Sequence, residues 1–219
     1  ECDVFVHFAA EGVVNFSVNN NWQKCLDVNL IQTENIVRNA YKSGIDKFLI
    51  CGTSHEYGLT GEEYDKIPPT AQLKPIGAYS VSKAMAGLAL LNFAKNNNIK
   101  LLLARLFHVY GLGENPNRFW PSLVKAAQSG NDFKMSPGNQ LRNFSHVDDI
   151  VKTLLNHCIN FESINSGGLV RNIGSKNNSS LKDFALKEWE RLEAKGSIEL
   201  GFYPYRDKEV MSYIPEIDF

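Results

Sequence analysis

Tyr79 and Lys83 stand four residues apart in the stretch Tyr79-Ser80-Val81-Ser82-Lys83. On a helix that spacing puts both side chains on one face. A phenol beside an ammonium can pass a proton to or from a carbinol or ketone. Upstream, an apolar run leads into Thr53, whose hydroxyl could join the pair at a reacting oxygen. Tyr and Lys at this spacing also occur in many helices that do no chemistry. The pair gains meaning only from the elements that position it.

Residues 3–9 read as a buried strand, and Asn19-Asn20-Asn21 as a loop tip. Ile31, Ile36, Val37 and Ala40 form the apolar stripe of a helix over 28–43, which Gly44 ends. Lys47 to Cys51 is a second strand. Pro68, Pro69 and Pro75 mark an extended loop across 58–78. The helix carrying Tyr79 and Lys83 spans 79–96, and its Ala84, Ala86, Gly87, Ala89 and Ala94 permit close approach to a sheet. Residues 99–107 form a third strand. Short apolar strands joined by helices predict an α/β fold: a doubly wound parallel sheet, covered on both faces, with right-handed crossovers. Functional groups then gather beyond the C-terminal strand ends. His7, Ala9 and Ala10, then Thr53 and Ser54, then His108 and Tyr110 all fall there.

After Gly113 the composition changes. The pattern predicts helices over 116–129, beginning with Pro116, and over 146–159, with Asp148 and Asp149 in a favourable early position. A strand over 169–174 and a helix over 181–194, capped by Ser180, complete the set. The Tyr- and Pro-rich tail carries enough aromatics to be packed.

The 219 residues include 23 Lys and Arg against 24 Asp and Glu, a formal net charge of −1. That balance gives no broad nucleic-acid surface. No apolar run is long enough to span a membrane. Cys2, Cys25, Cys51 and Cys158 are widely spaced and form no C-x-x-C pair. They read as buried free thiols of a reducing, cytoplasmic compartment, with no metal site.

In order and spacing, these segments resemble the extended short-chain dehydrogenase/reductase family, in its NAD-dependent epimerase/dehydratase branch acting on nucleotide sugars. Asp3 to Ala10 is similar to that family's D-x-V-x-H-x-A-A strand, and Asn29 to its adenine-side or structural Asn. Thr53, four residues before Tyr57-Gly58, falls where the branch has its catalytic Ser or Thr. Tyr79-x-x-x-Lys83 matches the Y-x-x-x-K pair. Arg105 to Gly111 resembles R-x-x-N-V-Y-G, with His108 in place of Asn. Arg142 to Asp149 resembles R-D-F-x-H-V-D-D, with Asn143 in place of Asp. The family's opening G-x-x-G-x-x-G loop does not occur. The resemblance therefore implies a Rossmann-like fold that is N-terminally truncated, with about 60 residues and three strands expected upstream.

The resemblance implies that residues 1–112 are the remainder of an NAD(P)-binding domain. Residues 113–219 are mainly a substrate-binding region, with 146–174 returning to the core. It assigns catalysis to Thr53, Tyr79 and Lys83. Contacts to NAD or NADP fall to His7, Ala9, Ala10, Asn29, Cys51, Tyr79, Lys83, Phe107 and Val109. Contacts to a nucleotide-diphosphate sugar fall to Thr53, Ser54, His108, Arg142 and Arg206. For the two arginines the bland alternative is an ordinary ion pair, and for His55 a satisfied loop histidine. In 4,6-dehydratases an Asp-Glu pair follows the Thr; here Ser54 and His55 stand there, which argues for an epimerase or a 4-ketosugar reductase of deoxysugar and surface-polysaccharide synthesis. A homodimer is usual for the family. The competing reading is a non-catalytic NAD(P)-binding scaffold, or an inactive fragment, on the same fold.

Overall fold

The computed structural model describes residues 2–12, 21–207 and 209–217. Asn19 and Asn20 of the expected loop tip lie outside them, whereas Asn21 caps the first helix with its side chain. In chain order the strands are β1 (Phe5–His7), β2 (Lys47–Thr53), β3 (Lys100–Leu106), β4 (Val109–Tyr110), β5 (Phe133–Lys134), β6 (Leu141–Asn143), β7 (Ser145–His146), β8 (Leu169–Ile173), β9 (Asn178–Ser180), β10 (Ile198–Glu199) and β11 (Ser212–Tyr213). The α-helices are α1 (Trp22–Leu26), α2 (Thr33–Lys42), α3 (Gly77–Asn97), α4 (Phe119–Ser129), α5 (Val147–Ile159) and α6 (Leu181–Arg191).

The main sheet is parallel, in the order β1-β2-β3-β8. Its central strands show why their sequences are continuously apolar. Phe48 and Ile50 of β2, with Leu101 and Leu103 of β3, pack against Val37 of α2 and Leu90 and Phe93 of α3. Leu49, Leu102 and Ala104 point the other way, onto Ile150 and Leu154 of α5. A strand buried on both faces has no polar side to alternate. Gly87 lets α3 lie close, since a Cβ there would stand 2.9 Å from Leu103. α5 and β8 thus return the chain to the main sheet after α4.

The second layer of structure is smaller. α4 and α6 close over β5 and β10, around Leu123, Ala127, Met135, Ala185 and Trp189. The tail is packed: β11 pairs with β6, and Tyr213 joins Tyr57, Ile67 and Phe107 in a core shared with the main sheet.

Several element bounds differ from the sequence reading. The helix expected from 28 starts at Trp22 and passes through a π-helical stretch, Asp27–Gln32, before α2. The helix expected at Pro116 starts at Phe119; residues 116–118 are instead held by a turn in which the Arg118 N–H donates to the Asn115 carbonyl (2.9 Å). α6 stops at Arg191, three residues early, while its Ser180 cap is present, accepting from the Asp183 N–H at 3.0 Å. The cysteines do not share the expected burial: Cys25 is buried, Cys51 and Cys158 are partly buried and Cys2 is exposed.

The loop after β2 turns at Gly58, whose φ of 55° and ψ of −125° are open only to glycine. A Cβ there would also sit 1.8 Å from the Lys74 carbonyl oxygen. Gly58→Ala is expected to cost about 1–3 kcal/mol from the backbone alone, read as a lowered midpoint in thermal or urea unfolding.

Candidate active site

At the C-terminal ends of β1, β2 and β3 the chain leaves a cleft of ≈ 210 Å³. Phe8 and Ala10 form one wall, the segment from Cys51 to His55 the floor, and Phe107 to Val109 the opposite wall. Tyr79 and Lys83 reach in from the first turns of α3, and Arg118 from the residue before α4. This is where strand ends of a parallel sheet offer unpaired backbone and room for a ligand.

Thr53 closes β2 and caps the short 3₁₀ turn Ser54–Glu56. Its hydroxyl accepts from the His55 N–H at 3.3 Å and shares a hydrogen bond with the Tyr79 phenol. Lys83 is almost wholly buried and donates from Nζ to the Cys51 carbonyl at 2.6 Å. One turn of α3 therefore presents a phenol and an ammonium to the last residues of one strand. Behind them, Asn29 in the π-helical stretch fastens the wall to the helix. Its Oδ1 accepts from the Glu11 N–H (2.8 Å), and its Nδ2 donates to the Glu11 carbonyl and the Ser82 hydroxyl, both at 2.9 Å. Ser82 Oγ donates in turn to the Tyr79 carbonyl at 2.9 Å.

The charges at this cleft are strongly perturbed. Burial pushes the Tyr79 phenol well up; Cys51 and Glu56 add to the rise, while the Thr53 hydrogen bond and Arg118 oppose it. Burial likewise lifts the Cys51 thiol to about 11, against the pull of Lys83. His55 is lowered to about 4, by burial first and then by Arg142, Arg118 and Arg206. His108 falls well below its ordinary range, through burial, Arg142, His55 and Arg118. The two rings lie 6.0 Å apart, and His108 Nδ1 is buried with no hydrogen-bond partner among the described residues. His108 also belongs to the cleft lining.

The cleft thus brings together Ala10, Cys51, Thr53, Ser54, Tyr79, Lys83, Phe107, His108 and Val109 from among the residues singled out in the sequence. It leaves others aside. His7 is buried under the sheet end, its Nε2 3.0 Å from the Thr33 hydroxyl, and Ala9 is exposed. The amide of Asn29 is committed inside the protein. Arg142 is buried, its guanidinium 2.7 Å from Glu209 and stacked over Tyr213 at 5.3 Å. Arg206 is exposed in the tail. Tyr110, at a strand end, packs against Phe184, His146 and Trp120. Sequence reading missed Arg118, whose Nε pairs with Glu114 at 3.0 Å. Its only local signal is a lone Arg in the polar turn before a helix.

The site is thus a parallel sheet of α/β type with Thr53, Tyr79 and Lys83 gathered beyond its strand ends. The model of the family described as "NAD dependent epimerase/dehydratase family" matches residues 1–174, and the chain belongs to that family. The chain is 28% identical over 155 residues to dTDP-D-glucose 4,6-dehydratase of Mus musculus, covering 70% of this chain and 42% of that one. To UDP-glucose 4-epimerase of Mycoplasma genitalium it is 31% identical over 202 residues, covering 80% and 57%. The solved structure described as MoeE5 in complex with UDP-glucuronic acid and NAD superposes with a TM-score of 0.82 at 24% identity, covering 98% of this chain and 70% of that one. The chain spans about half the length of the curated relatives it matches. Among the described residues no helix is long and apolar enough to cross a membrane.

Proposed function

We propose that this chain carries the catalytic half of an NAD(P)-dependent nucleotide-sugar epimerase or 4-ketosugar reductase. The observation that carries the reading is the gathering of Thr53, Tyr79 and Lys83 in one cleft, with Lys83 anchored on the Cys51 carbonyl one turn further along α3. Tyr79 and Thr53 line the same cleft, and their hydroxyls serve one substrate oxygen. Tyr79 passes the proton at that oxygen and Thr53 orients it. Ser54 and His55, where a 4,6-dehydratase has its acidic pair, favour chemistry that leaves the sugar's hydroxyls in place.

The residues present fit the nicotinamide end of the cofactor. Ala10, Tyr79, Lys83 and Val109 line the same cleft, and Lys83 is held to its floor through the Cys51 carbonyl at 2.6 Å. Tyr79, Lys83, Ala10 and Val109 are the residues that would hold that end. NAD or NADP, once bound, supplies hydride acceptance and return. No G-x-x-G-x-x-G sequence occurs in the 219 residues to cradle the pyrophosphate. On the substrate side, the field of Arg118, Arg142 and Arg206 converges on His55. Arg118 lines the cleft, and with Arg142 and Arg206 acting on the same histidine it suits the diphosphate of a nucleotide sugar.

The test is titration of the chain with NADH and NADPH, read by energy transfer from its tryptophans, followed by turnover assays with UDP- and dTDP-sugars. Saturable binding and turnover of a nucleotide sugar are expected. A folded chain that binds cofactor without turnover leaves a binding scaffold, and one that binds neither cofactor overturns the reading for these residues.

A further inference from the structure

The geometry points to Glu56 as the residue that positions Thr53 for reaction beside Tyr79. The inference rests on the proposed role of Thr53 and adds a residue that no catalytic assignment includes. Glu56 is fully buried directly beneath the cleft floor. Its Oε1 accepts the Thr53 backbone N–H at 2.9 Å, and its Oε2 accepts Arg105 Nε at 2.8 Å. Arg105 Nη1 continues to the Tyr57 hydroxyl (3.0 Å) and the Pro69 carbonyl (3.1 Å). The Tyr57 hydroxyl donates to Asn172 Oδ1 at 2.6 Å, and Asn172 Nδ2 to the Ile67 carbonyl at 2.7 Å. One bonded chain therefore ties the last residue of β2 to β3, β8 and the loop over 67–69.

The surroundings are shaped to house this carboxylate. A Cβ on Gly52 would stand 2.7 Å from Glu56 Oε1, and one on Gly87 would stand 3.6 Å from Oε2. On the β2 side the group thus rests against bare backbone at Gly52, while Gly87 of α3 lies at ordinary contact distance. A buried ion pair alone is weak evidence of stabilisation, because desolvation offsets its attraction. What this pair adds is placement: the strand end carrying Thr53 is held by Glu56 on one side, while Lys83 holds the Cys51 carbonyl on the other. The Glu56 charge also reaches the site, pushing up both Tyr79 and Cys51.

Single substitutions risk unfolding, since either leaves a buried charge unpaired. Two double variants avoid this. Glu56→Gln with Arg105→Gln keeps an acceptor for the Thr53 N–H and a hydrogen-bonded pair. Glu56→Ala with Arg105→Met removes both. Each is checked for folding by circular dichroism and thermal midpoint. Hydrogen exchange at the Thr53 amide then gives a readout independent of turnover, and kcat and KM are measured with nucleotide sugar and cofactor. In the Ala/Met variant the Thr53 amide is expected to exchange at least about tenfold faster. Its kcat should fall about a hundredfold, with KM little changed. The Gln/Gln variant should recover to within about tenfold of wild type. A folded Ala/Met variant with unchanged Thr53 protection would overturn the inference. So would losses in the two variants that follow their thermal midpoints alone. If the wild-type chain itself turns over no nucleotide sugar, the proposed function fails, while the amide readout still decides whether Glu56 holds Thr53.

Discussion

Tyr79→Phe is expected to lower kcat by about 10²–10⁴-fold, the usual worth of one positioned acid–base group. The change removes one oxygen from a half-buried ring and leaves its packing in place. It leaves the Ser82 bond to the Tyr79 carbonyl, since that bond uses backbone. It also leaves Lys83 on the Cys51 carbonyl, so the end of β2 stays clamped. Cofactor and nucleotide-sugar affinities should therefore change little. A fall in kcat with KM and NADH affinity held marks a group acting mainly in the transition state. Equal turnover by Tyr79→Phe and wild type would remove Tyr79 from the reaction and return it to the role of a wall residue. The phenol starts from an unfavourable position. Burial raises it, and the Thr53 hydrogen bond and Arg118 are the counterweights. Thr53→Val should consequently reduce turnover as well, and should move the phenol further up, shifting the limb of the pH–rate profile that reports this phenol to higher pH. A profile identical to wild type would show that the Thr53 hydroxyl does not face the phenolate.

What the sequence made legible was local or periodic. β2 and β3 read as strands because both faces are covered, so every position from Phe48 to Ile50 and from Leu101 to Ala104 is apolar. Tyr79 and Lys83 were visible because helical spacing is a local rule. Thr53 was visible because it follows an apolar strand. Helix starts were misplaced where cap and core signals conflict. Pro116 is a favoured first residue of a helix, yet the chain makes one more turn before α4. α1 escaped because five residues carry too little periodicity, and the π-helical stretch after it breaks the 3.6-residue register. The polar scaffold was invisible for a different reason. Glu56 meets Arg105 across 49 residues and Arg142 meets Glu209 across 67. No local pattern records which distant charge will neutralise a buried one. Arg142 illustrates the cost. Its guanidinium is bonded to Glu209, a partner that no local pattern announces.

The histidine pair at the cleft makes the protein's stability depend on pH. His55 is lowered from 6.5 to about 4, and His108 falls well below 6.5. In the unfolded chain both rings return to the ordinary value. Between pH 6.5 and about 4 the unfolded state therefore binds more protons than the folded one, so stability falls as pH falls through that window. Above pH 6.5 both states carry neutral rings and the contribution is complete. For His55 alone the loss by pH 4 reaches up to about 3 kcal/mol, at 1.36 kcal/mol per unit. His7 and His157, also lowered, act in the same direction. Glu56 and Glu114, raised by burial, act in the opposite one. The double variant His55→Asn with His108→Asn removes the two largest contributors. It should lose less stability than wild type between pH 7 and pH 5 in urea unfolding, whatever its stability at pH 7. Parallel losses in the two proteins would show that the rings are hydrated and titrate normally. A nucleoside diphosphate adds a further check. Bound near Arg118 and Arg142, its negative charge offsets the arginine field at both rings and lets them keep a proton. It should therefore protect the wild-type chain more at pH 5 than at pH 7, and that difference should vanish in the double variant.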